Sequence, residues 1–583
     1  MSLTIFYRTA FWTSVLGLLL LLFDFGFWHA ESSQFYIDNS YYFVLGFGLA
    51  STLLRYIKEP RRLKKKAFYF DVITLALNIY LFKLRFVDGY DSLYLDIDSI
   101  ISKSVWVKFA VIFTFIREFS ELKIVFKRTL FNPAQLFILS FLAIIILGAF
   151  LLSLPNATNQ EIGFLDALFT STSAVCVTGL IVLDTATDFT LFGQTIIMFL
   201  IQIGGLGILT FASYFSYFFR GGSSYENHLT LSDITSSNRI STVFAILRYI
   251  ILITLIIEVI ASVLIYFSLD VNHFENQAEM LFFSIFHAVS AFCNAGFSTL
   301  SDGLHDINYR FNYFLQMTLI ITLVLGGLGF PIVANIFEFL KYKLTTLLTF
   351  NRKTRNYKPW VLNINSRITL ITTLTIMVIA FIAFYLLEYN NSLAEHDGLG
   401  KFVTALFGAT TPRTAGFNTI NFSGANFSTL MLVMLLMWIG ASPQSTGGGI
   451  KTSTFAIATL NIISLAKGKN RIEIFRREIA DSSVRRAFAI ISLSLIAIGL
   501  SVMIIASIEP NFSLLEISFE CFSAYSTVGL SLGITAQLGA VSKIVLILVM
   551  FVGRISMLSL VIALIKKTPY KNYQYPKEEI TIN

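Results

Sequence analysis

Long apolar runs with almost no charge recur along this chain between polar connections. Each is close to the ~20 residues that a helix needs to cross a ~30 Å hydrocarbon layer. Beyond residue 130 the runs come in pairs, with a shorter apolar stretch between the members of each pair. The pattern predicts spans Gln135–Leu154 and Leu191–Phe219 around a half-helix Phe164–Val175. A second set follows at Val243–Phe267, Glu279–Phe292 and Phe311–Phe339, and a third at Ile368–Leu387, Phe402–Thr411 and Thr429–Leu465. Ala487–Ile508, Leu514–Tyr525 and Val541–Ile565 make the fourth.

After each half-helix come two residues, a glycine, and Leu or Phe. The segments read Val177-Thr178-Gly179-Leu180, Asn294-Ala295-Gly296-Phe297, Thr414-Ala415-Gly416-Phe417 and Thr527-Val528-Gly529-Leu530. Their glycines are 117, 120 and 113 residues apart, so one unit repeats four times. The units divide the chain at 131–222, 223–345, 346–470 and 471–583, the last with a tail. Residues 1–130 hold four more apolar runs, near 10–28, 40–57, 67–83 and 104–122. The expected fold is an all-α membrane protein. Four repeats of transmembrane helix, pore helix, filter loop and transmembrane helix surround one pore, and four extra N-terminal transmembrane helices bring the spans to twelve.

Composition narrows the class. At 55% hydrophobic and 13% charged, with mean hydropathy +0.72, the chain has too much apolar surface for one soluble core. The lipid bilayer is therefore its first partner. The net charge of +8 sits in loops between apolar runs, which argues against a nucleic-acid partner and for the positive-inside rule. Connections between repeats are basic: Lys341, Lys343, Arg352, Lys353, Arg355 and Lys358 in one; Lys467, Lys469, Arg471, Arg476, Arg477, Arg485 and Arg486 in another. The run from Lys58 to Lys66 and the tail residues Lys566, Lys567 and Lys571 share that sign. Segments flanking the half-helices carry Glu161, Asp166, Asp184, Asp188, Asp270, Glu275, Asp302, Asp306, Glu395 and Asp397, and Asp88, Asp91, Asp96 and Asp98 mark another acidic stretch. Basic connections and both termini are thus expected in the cytoplasm, in a plasma membrane of the bacterial cytoplasmic type. Cys176, Cys293 and Cys521 are too few and too apolar in setting for a disulfide framework.

Four glycine segments at matched positions suit a cation filter. A dehydrated cation needs oxygens in place of water, and backbone carbonyls supply them when several loops face one axis. Glycine reaches the positive-φ states this demands. The residues expected to line it are Val177, Thr178, Gly179, Asn294, Ala295, Gly296, Thr414, Ala415, Gly416, Thr527, Val528 and Gly529. Half-helices whose C-terminal ends aim at the axis add favourable partial negative charge. His287 and Glu520, inside half-helices, are expected to anchor them by hydrogen bonds. In the fourth N-terminal run, Lys108, Arg117, Lys123 and Lys127 lack an every-third-residue arginine pattern, and a solvated cytoplasmic helix end is expected there. Asp24 and Asp71 are expected to snorkel or pair.

The third repeat's second span contains Gly440-Ala441-Ser442-Pro443-Gln444-Ser445-Thr446-Gly447-Gly448-Gly449-Ile450-Lys451. Gly costs about 1 kcal/mol and Pro about 3 relative to Ala in a helix, so this span should break near mid-membrane, unlike its counterparts.

These motifs resemble the Trk/Ktr/HKT potassium transporters, the Ktr branch most closely. The match rests on Ser171–Leu180, Ile201–Gly207, Ala291–Phe297, Thr411–Asn418 and Ser526–Ser531, and covers about Pro133 to Lys567. The resemblance implies a K+-selective four-repeat pore for channel-like potassium uptake, with K+ at the filter as the transported ion and no cofactor on this chain. It also implies a homodimer and a cytosolic ring of nucleotide-binding (RCK-type) regulatory subunits, for which Lys341–Arg367 and Lys467–Arg486 are candidate docking loops. Some members carry Ser at the first filter glycine and favour Na+; the intact Gly179 argues for K+, with Na+ permeation or stimulation left open. The family uses the broken segment as a gating loop, here Gln444, Ser445, Thr446, Gly447, Gly448, Gly449 and Lys451. It sets an arginine against that loop, matched by Arg554. Residues 1–130 depart from the family pattern.

Two other classes compete. A secondary carrier could have twelve spans, but its repeats are usually inverted and its midplane site charged. No Walker, Rossmann, zinc or Ser/His/Asp arrangement supports an enzyme.

Overall fold

A computed structural model describes residues 3–58, 67–86, 103–120, 133–206, 243–348, 362–555 and 557–564. Residues 59–66, Asp88, Asp91, Asp96, Asp98, Lys123, Lys127, residues 207–219, Arg352, Lys353, Arg355, Lys358, Lys566, Lys567 and Lys571 lie outside the described residues.

Helix α1 (Leu3–Gly26), α2 (Glu31–Lys58), α3 (Ala67–Phe86) and α4 (Lys103–Ser120) come first. The same order then recurs four times. A helix leads to a short buried helix, a glycine segment and a further helix. The first set is α5 (Pro133–Leu152), α6 (Phe164–Cys176) and α7 (Leu191–Leu206). The second is α8 (Val243–Ser268), α9 (Gln277–Cys293), then α10 (Tyr313–Gly327) and α11 (Phe330–Leu348). The third is α12 (Ile364–Glu388), α13 (Leu399–Thr410), then α14 (Phe427–Trp438) and α15 (Thr452–Ala466). After a hairpin of β1 (Glu473–Ile474) and β2 (Arg477–Glu478), the fourth is α16 (Asp481–Ile508), α17 (Leu514–Ser526), α18 (Ala540–Ile555) and α19 (Met557–Leu564). Two of the short helices are capped by local side chains. The Asn276 side chain accepts from Glu279 N, and Ser513 with Glu516 forms a reciprocal capping box.

Burial is the reverse of a soluble fold. Ser171, Thr172 and Ser173 on α6 have no exposed surface, while Leu495, Ile496, Leu500 and Met503 on α16 lie open. Hydrocarbon outside and polar backbone inside demand that inversion. The repeats close into a ring, since each second-span helix packs on the next repeat's short helix: α7 on α9, α10 on α13, α14 on α17, and α18 back on α6. One apolar cluster joins Phe141, Phe169 and Ile197 to Ile498, Leu546 and Met550, so the first and fourth repeats share a core. Polar links follow the same circuit: Arg310–Glu395 at 2.8 Å, Asn418 Nδ2 to the Asp302 carbonyl at 3.1 Å, Ser423 Oγ to the Leu532 carbonyl at 3.0 Å, and Lys543–Asp166 at 2.7 Å.

Among the described residues, four helices alone are long and apolar enough to cross a membrane: Ile5–Gly26, Ile250–Ser268, Ile364–Glu388 and Asp481–Ile508. Tyr313–Gly327 and Phe330–Lys343 make a fifth as a pair bent by 107°. Two expectations need correction. The break in the third repeat has a counterpart in the second, at Gly329, whose φ of +86° turns the chain where other residues would strain. Lastly, Arg117 is no solvated helix end. It is buried against Asp71, with Nε 2.5 Å from the carboxylate.

The N-terminal helices form their own bundle around Leu21, Tyr41, Leu45 and Val111. Lys108 pairs with Asp24 at 2.8 Å, and Tyr41 donates to the same carboxylate at 3.0 Å. Arg55 and Glu118 meet at 2.6 Å with almost no exposure. Asp24 and Asp71 thus pair with neighbours. The bundle leans on the first repeat where the Phe25 and Phe192 rings stack at 5.5 Å and Asn156 Nδ2 donates to the Phe25 carbonyl.

Candidate functional site

Each short helix delivers its chain to the ring through a left-handed residue. Val177, Asn294 and Thr527 cap α6, α9 and α17 with φ of 57°, 59° and 49°; Thr414 follows a turn after α13 with φ of 70°. Two residues on, Gly179, Gly296, Gly416 and Gly529 return to φ of 86°, 70°, 78° and 93°. Left-handed backbone at bulky residues costs about 1–3 kcal/mol each and persists only where neighbours enforce it.

Hydrogen bonds supply the enforcement and also fix where the carbonyls point. Thr178 N donates to the Ser173 carbonyl at 2.7 Å, and Gly179 N to Ser173 Oγ at 3.1 Å. Val528 N and Gly529 N bond to Ser523 in the same way, at 2.9 and 3.0 Å. Ala295 N bonds to the Ser290 carbonyl at 2.8 Å, and Ala415 N to that of Thr411 at 2.9 Å. In a trans peptide the C=O points opposite to the N–H of the next residue. With these amides turned back onto the short helices, the carbonyls of Val177, Thr178, Asn294, Thr414, Thr527 and Val528 face away from them.

The four segments stand side by side. A Cβ on Gly179 would run into the Ala295 carbonyl oxygen, one on Gly416 into that of Val528, and one on Gly529 into that of Thr178. On Gly296 it would stand 2.9 Å from the Ala415 oxygen. The circuit closes on itself, with each glycine beside the next repeat's middle carbonyl. All twelve expected lining residues are brought together here.

Side chains behind the ring brace it. His287 joins the Phe283 carbonyl through Nδ1 and Ser298 Oγ through Nε2, both at 2.9 Å. Glu520 accepts from Ser531 Oγ at 2.5 Å, Thr535 Oγ1 at 2.9 Å and Leu532 N at 3.1 Å. Both tie a short helix to the chain beyond its glycine. Cys176, Cys293 and Cys521 are buried thiols.

Residues 439–451 pack against the second, third and fourth segments. Gly447 abuts the Thr414 side chain, Gly448 that of Thr527, and Gly449 lies beside Ser526, while Thr446 Oγ1 donates to the Phe292 carbonyl at 3.2 Å. A bridge between Ile439 and Ile450 pinches the loop shut, and Gln444 has φ of 57°. Ser445 Oγ donates to the Ser442 carbonyl at 2.6 Å. The bent second-repeat helix seats the loop, with Ser442 N on the Gly327 carbonyl at 3.0 Å and Phe330 N on that of Gln444 at 3.3 Å.

Three cations bind this loop through carbonyls. Lys451 Nζ donates to Gly447 and Gly448 at 2.6 and 3.3 Å. Arg554 donates to the carbonyls of Thr446 and Gly204, so it joins the loop to the first repeat. Arg413 donates to the Gly440 carbonyl at 3.4 Å and Thr452 Oγ1 at 3.1 Å. Sequence reasoning gave Arg413 no role. Its signal was an arginine where the other repeats have Cys176, Cys293 and Ser526.

The chain has known relatives. The model of TrkH, described as a cation transport protein, matches residues 101–575. The chain belongs to the TrkH family. It is 35% identical to the Ktr system potassium uptake protein B of Bacillus subtilis, over 78% of this chain and 98% of that protein. It is also 35% identical to the potassium/sodium uptake protein NtpJ of Enterococcus hirae, over 77% and 97%. Its fold matches the crystal structure of the potassium transporter TrkH from Vibrio parahaemolyticus, with TM-score 0.57 and 19% identity, over 85% of this chain and 98% of that one. As a TrkH-family transport protein of the Ktr type, the chain is not an enzyme.

Proposed function

We propose that this chain is the pore-forming subunit of a potassium uptake system. K+ sheds its water in the ring of Gly179, Gly296, Gly416 and Gly529 and is carried by backbone carbonyls. The observation that bears the most weight is the closed circuit of glycines, each against the next repeat's carbonyl. Carbonyl dipoles in that number can replace a hydration shell without a charged side chain that would trap the ion. Each repeat, in the division 131–222, 223–345, 346–470 and 471–583, contributes one quarter of the cage.

The loop Gln444–Gly449 is the gate, Lys451 shapes it, and Arg554 latches it and repels cations behind the ring. That assignment is supported by the loop's contacts with Thr414 and Thr527 and by the Arg554 bonds to Thr446 and Gly204. The chain works as a homodimer in the bacterial cytoplasmic membrane with both termini in the cytoplasm. The basic loops Lys341–Arg367 and Lys467–Arg486 dock a cytosolic nucleotide-binding ring. The relatives named for Ktr systems support such a division of labour.

The test is tracer flux into proteoliposomes with K+ and Na+ compared. Selective K+ uptake is expected, and Gly179→Ser should erode the discrimination, since its side chain would press on the Ala295 carbonyl. Equal K+ and Na+ flux in the unaltered protein would overturn the selectivity.

A further inference from the structure

The third repeat carries an open apolar groove of about 410 Å³ between α12, α14 and α15, with the tip of the β1–β2 hairpin at one end. Ala380, Leu436, Ile439 and Ala456 form its buried wall, and the exposed Ile371 and Leu435 stand at its mouth. Its volume lies within the range of small-molecule sites. The hydroxyls that line it are few, and that of Thr459 is already spent on the Phe455 carbonyl at 2.9 Å. Water needs two to four polar partners to settle, so the groove is dry. Along α12 it runs from Ile368 to Ala380, about 18 Å at 1.5 Å per residue. That is close to the ~15 Å of a single leaflet's hydrocarbon.

The hairpin tip is unusual. Phe475 and Arg476 form its two-residue turn with φ of 49° and 60°, a conformation normally left to Asn-Gly. Strain of that kind persists where the surroundings exploit it. Here it sets the Phe475 ring into the end of the groove, with Arg367 over its face at 5.9 Å, and leaves Arg476 exposed beside it. Lys469 and Arg471 are matched by Glu473 and Glu478. Arg476 and Arg477 meet no carboxylate among the described residues.

We infer that this groove binds one anionic phospholipid of the cytoplasmic leaflet, its acyl chain along α12 and its phosphate on Arg476 and Arg477, which leaves Arg485, Arg486 and the other cations of Lys467–Arg486 to the docking proposed above. Apolar depth on one side and unmatched positive charge at the rim are the two halves of such a molecule. The site matters to transport because its walls α14 and α15 are the arms that carry the loop 439–451. A chain seated between them and α12 sets how far those arms can move.

The inference rests on the membrane orientation proposed above, and its first readout is independent of flux. Native mass spectrometry of the full chain, exchanged into micelles with phosphatidylglycerol or phosphatidylcholine, should show one lipid retained. Two arginines at the surface should favour phosphatidylglycerol by about tenfold or more. Thr372→Trp, which fills the groove, should abolish retention, and the exposed pair Arg476→Glu/Arg477→Glu should remove the preference. In proteoliposomes, K+ flux of the unaltered chain should change when phosphatidylglycerol is added to phosphatidylcholine, and flux of both variants should not. Equal retention of the two lipids, or unaltered retention in both variants, overturns the site. So does loss of a cytosolic protein partner, rather than of lipid, in the double arginine variant. Lipid retained without flux in any membrane would instead indict the transport reading.

Discussion

The N-terminal bundle and the ring both hold cations in apolar surroundings, and they do so by opposite means. In the bundle each cation has a carboxylate: Arg55 has Glu118, Lys108 has Asp24, and Arg117 has Asp71. The helices that carry them run unbroken. In the ring, Lys451, Arg413 and Arg554 are bonded to carbonyls freed by broken or closely approached helices, and none meets a carboxylate among the described residues. An ion pair cancels its own field. A cation held by carbonyl dipoles keeps its full charge and projects it into the space around it. The bundle is therefore electrostatically quiet, whereas the loop sets positive charge without a carboxylate beside the four glycine segments. Pairing serves cohesion, and carbonyl solvation leaves a charge free to act.

The sharpest way to break this contrast is to unpair the bundle. Glu118→Ala leaves the Arg55 guanidinium buried without its acid and should cost about 3–5 kcal/mol. Adding Arg55→Met should restore part of the loss, because no buried guanidinium is then left without its acid. Thermal unfolding of the two variants in detergent reads this directly, and a single variant as stable as the double would show that the pair carries nothing.

Arg554→Ala should act on transport instead. It removes two charge-assisted bonds, each worth roughly 1.5–3 kcal/mol, from the arrangement that closes the loop. K+ flux should rise about tenfold or more, at about 1.4 kcal/mol per tenfold. Deletion within Gln444–Gly449 should act in the same direction. Unchanged flux in both variants at normal expression would remove the loop from its assigned role.

The smallest effect belongs to the pair between Lys543 and Asp166, which closes the circuit of repeats but remains partly open to solvent. Lys543→Ala should cost about 1 kcal/mol or less and leave ion selectivity alone. A large loss of selectivity would mean that this rim pair, rather than the Ser173 and Ser523 bonds, holds the first and fourth segments in place.

Legibility in the sequence followed the range of the interaction. The short helix predicted at Leu514–Tyr525 spans Leu514–Ser526, and that predicted at Phe164–Val175 spans Phe164–Cys176. Their signals are local: an amphipathic run and then a glycine, with Ser513 capping the first of the two. Pro443 and the glycines of 440–449 marked the third repeat's break for the same reason. The bend at Gly329 was missed although Pro331 follows it two residues on, because Gly326, Gly327 and Gly329 sit in an apolar run where such glycines are equally at home as packing residues. Arg117 was misread because its partner Asp71 lies on another helix and no local pattern announces the pair.

The sequence by itself determined that the chain is an all-α membrane protein, that one unit repeats four times, and where its glycine segments fall. Hydropathy, glycine freedom and spacing are properties of a few neighbouring residues, so they survive without coordinates. Only the tertiary structure decided that Gly529 stands beside the Thr178 carbonyl, that Arg554 reaches both Thr446 and Gly204, and that Phe475 ends a groove made by three helices. Most of these contacts join residues about a hundred to several hundred positions apart, and those of Gly529 and Arg554 depend on the closure of the whole ring. Backbone carbonyls add a further reason: every residue has one, so no side-chain pattern can say which of them will face a cation.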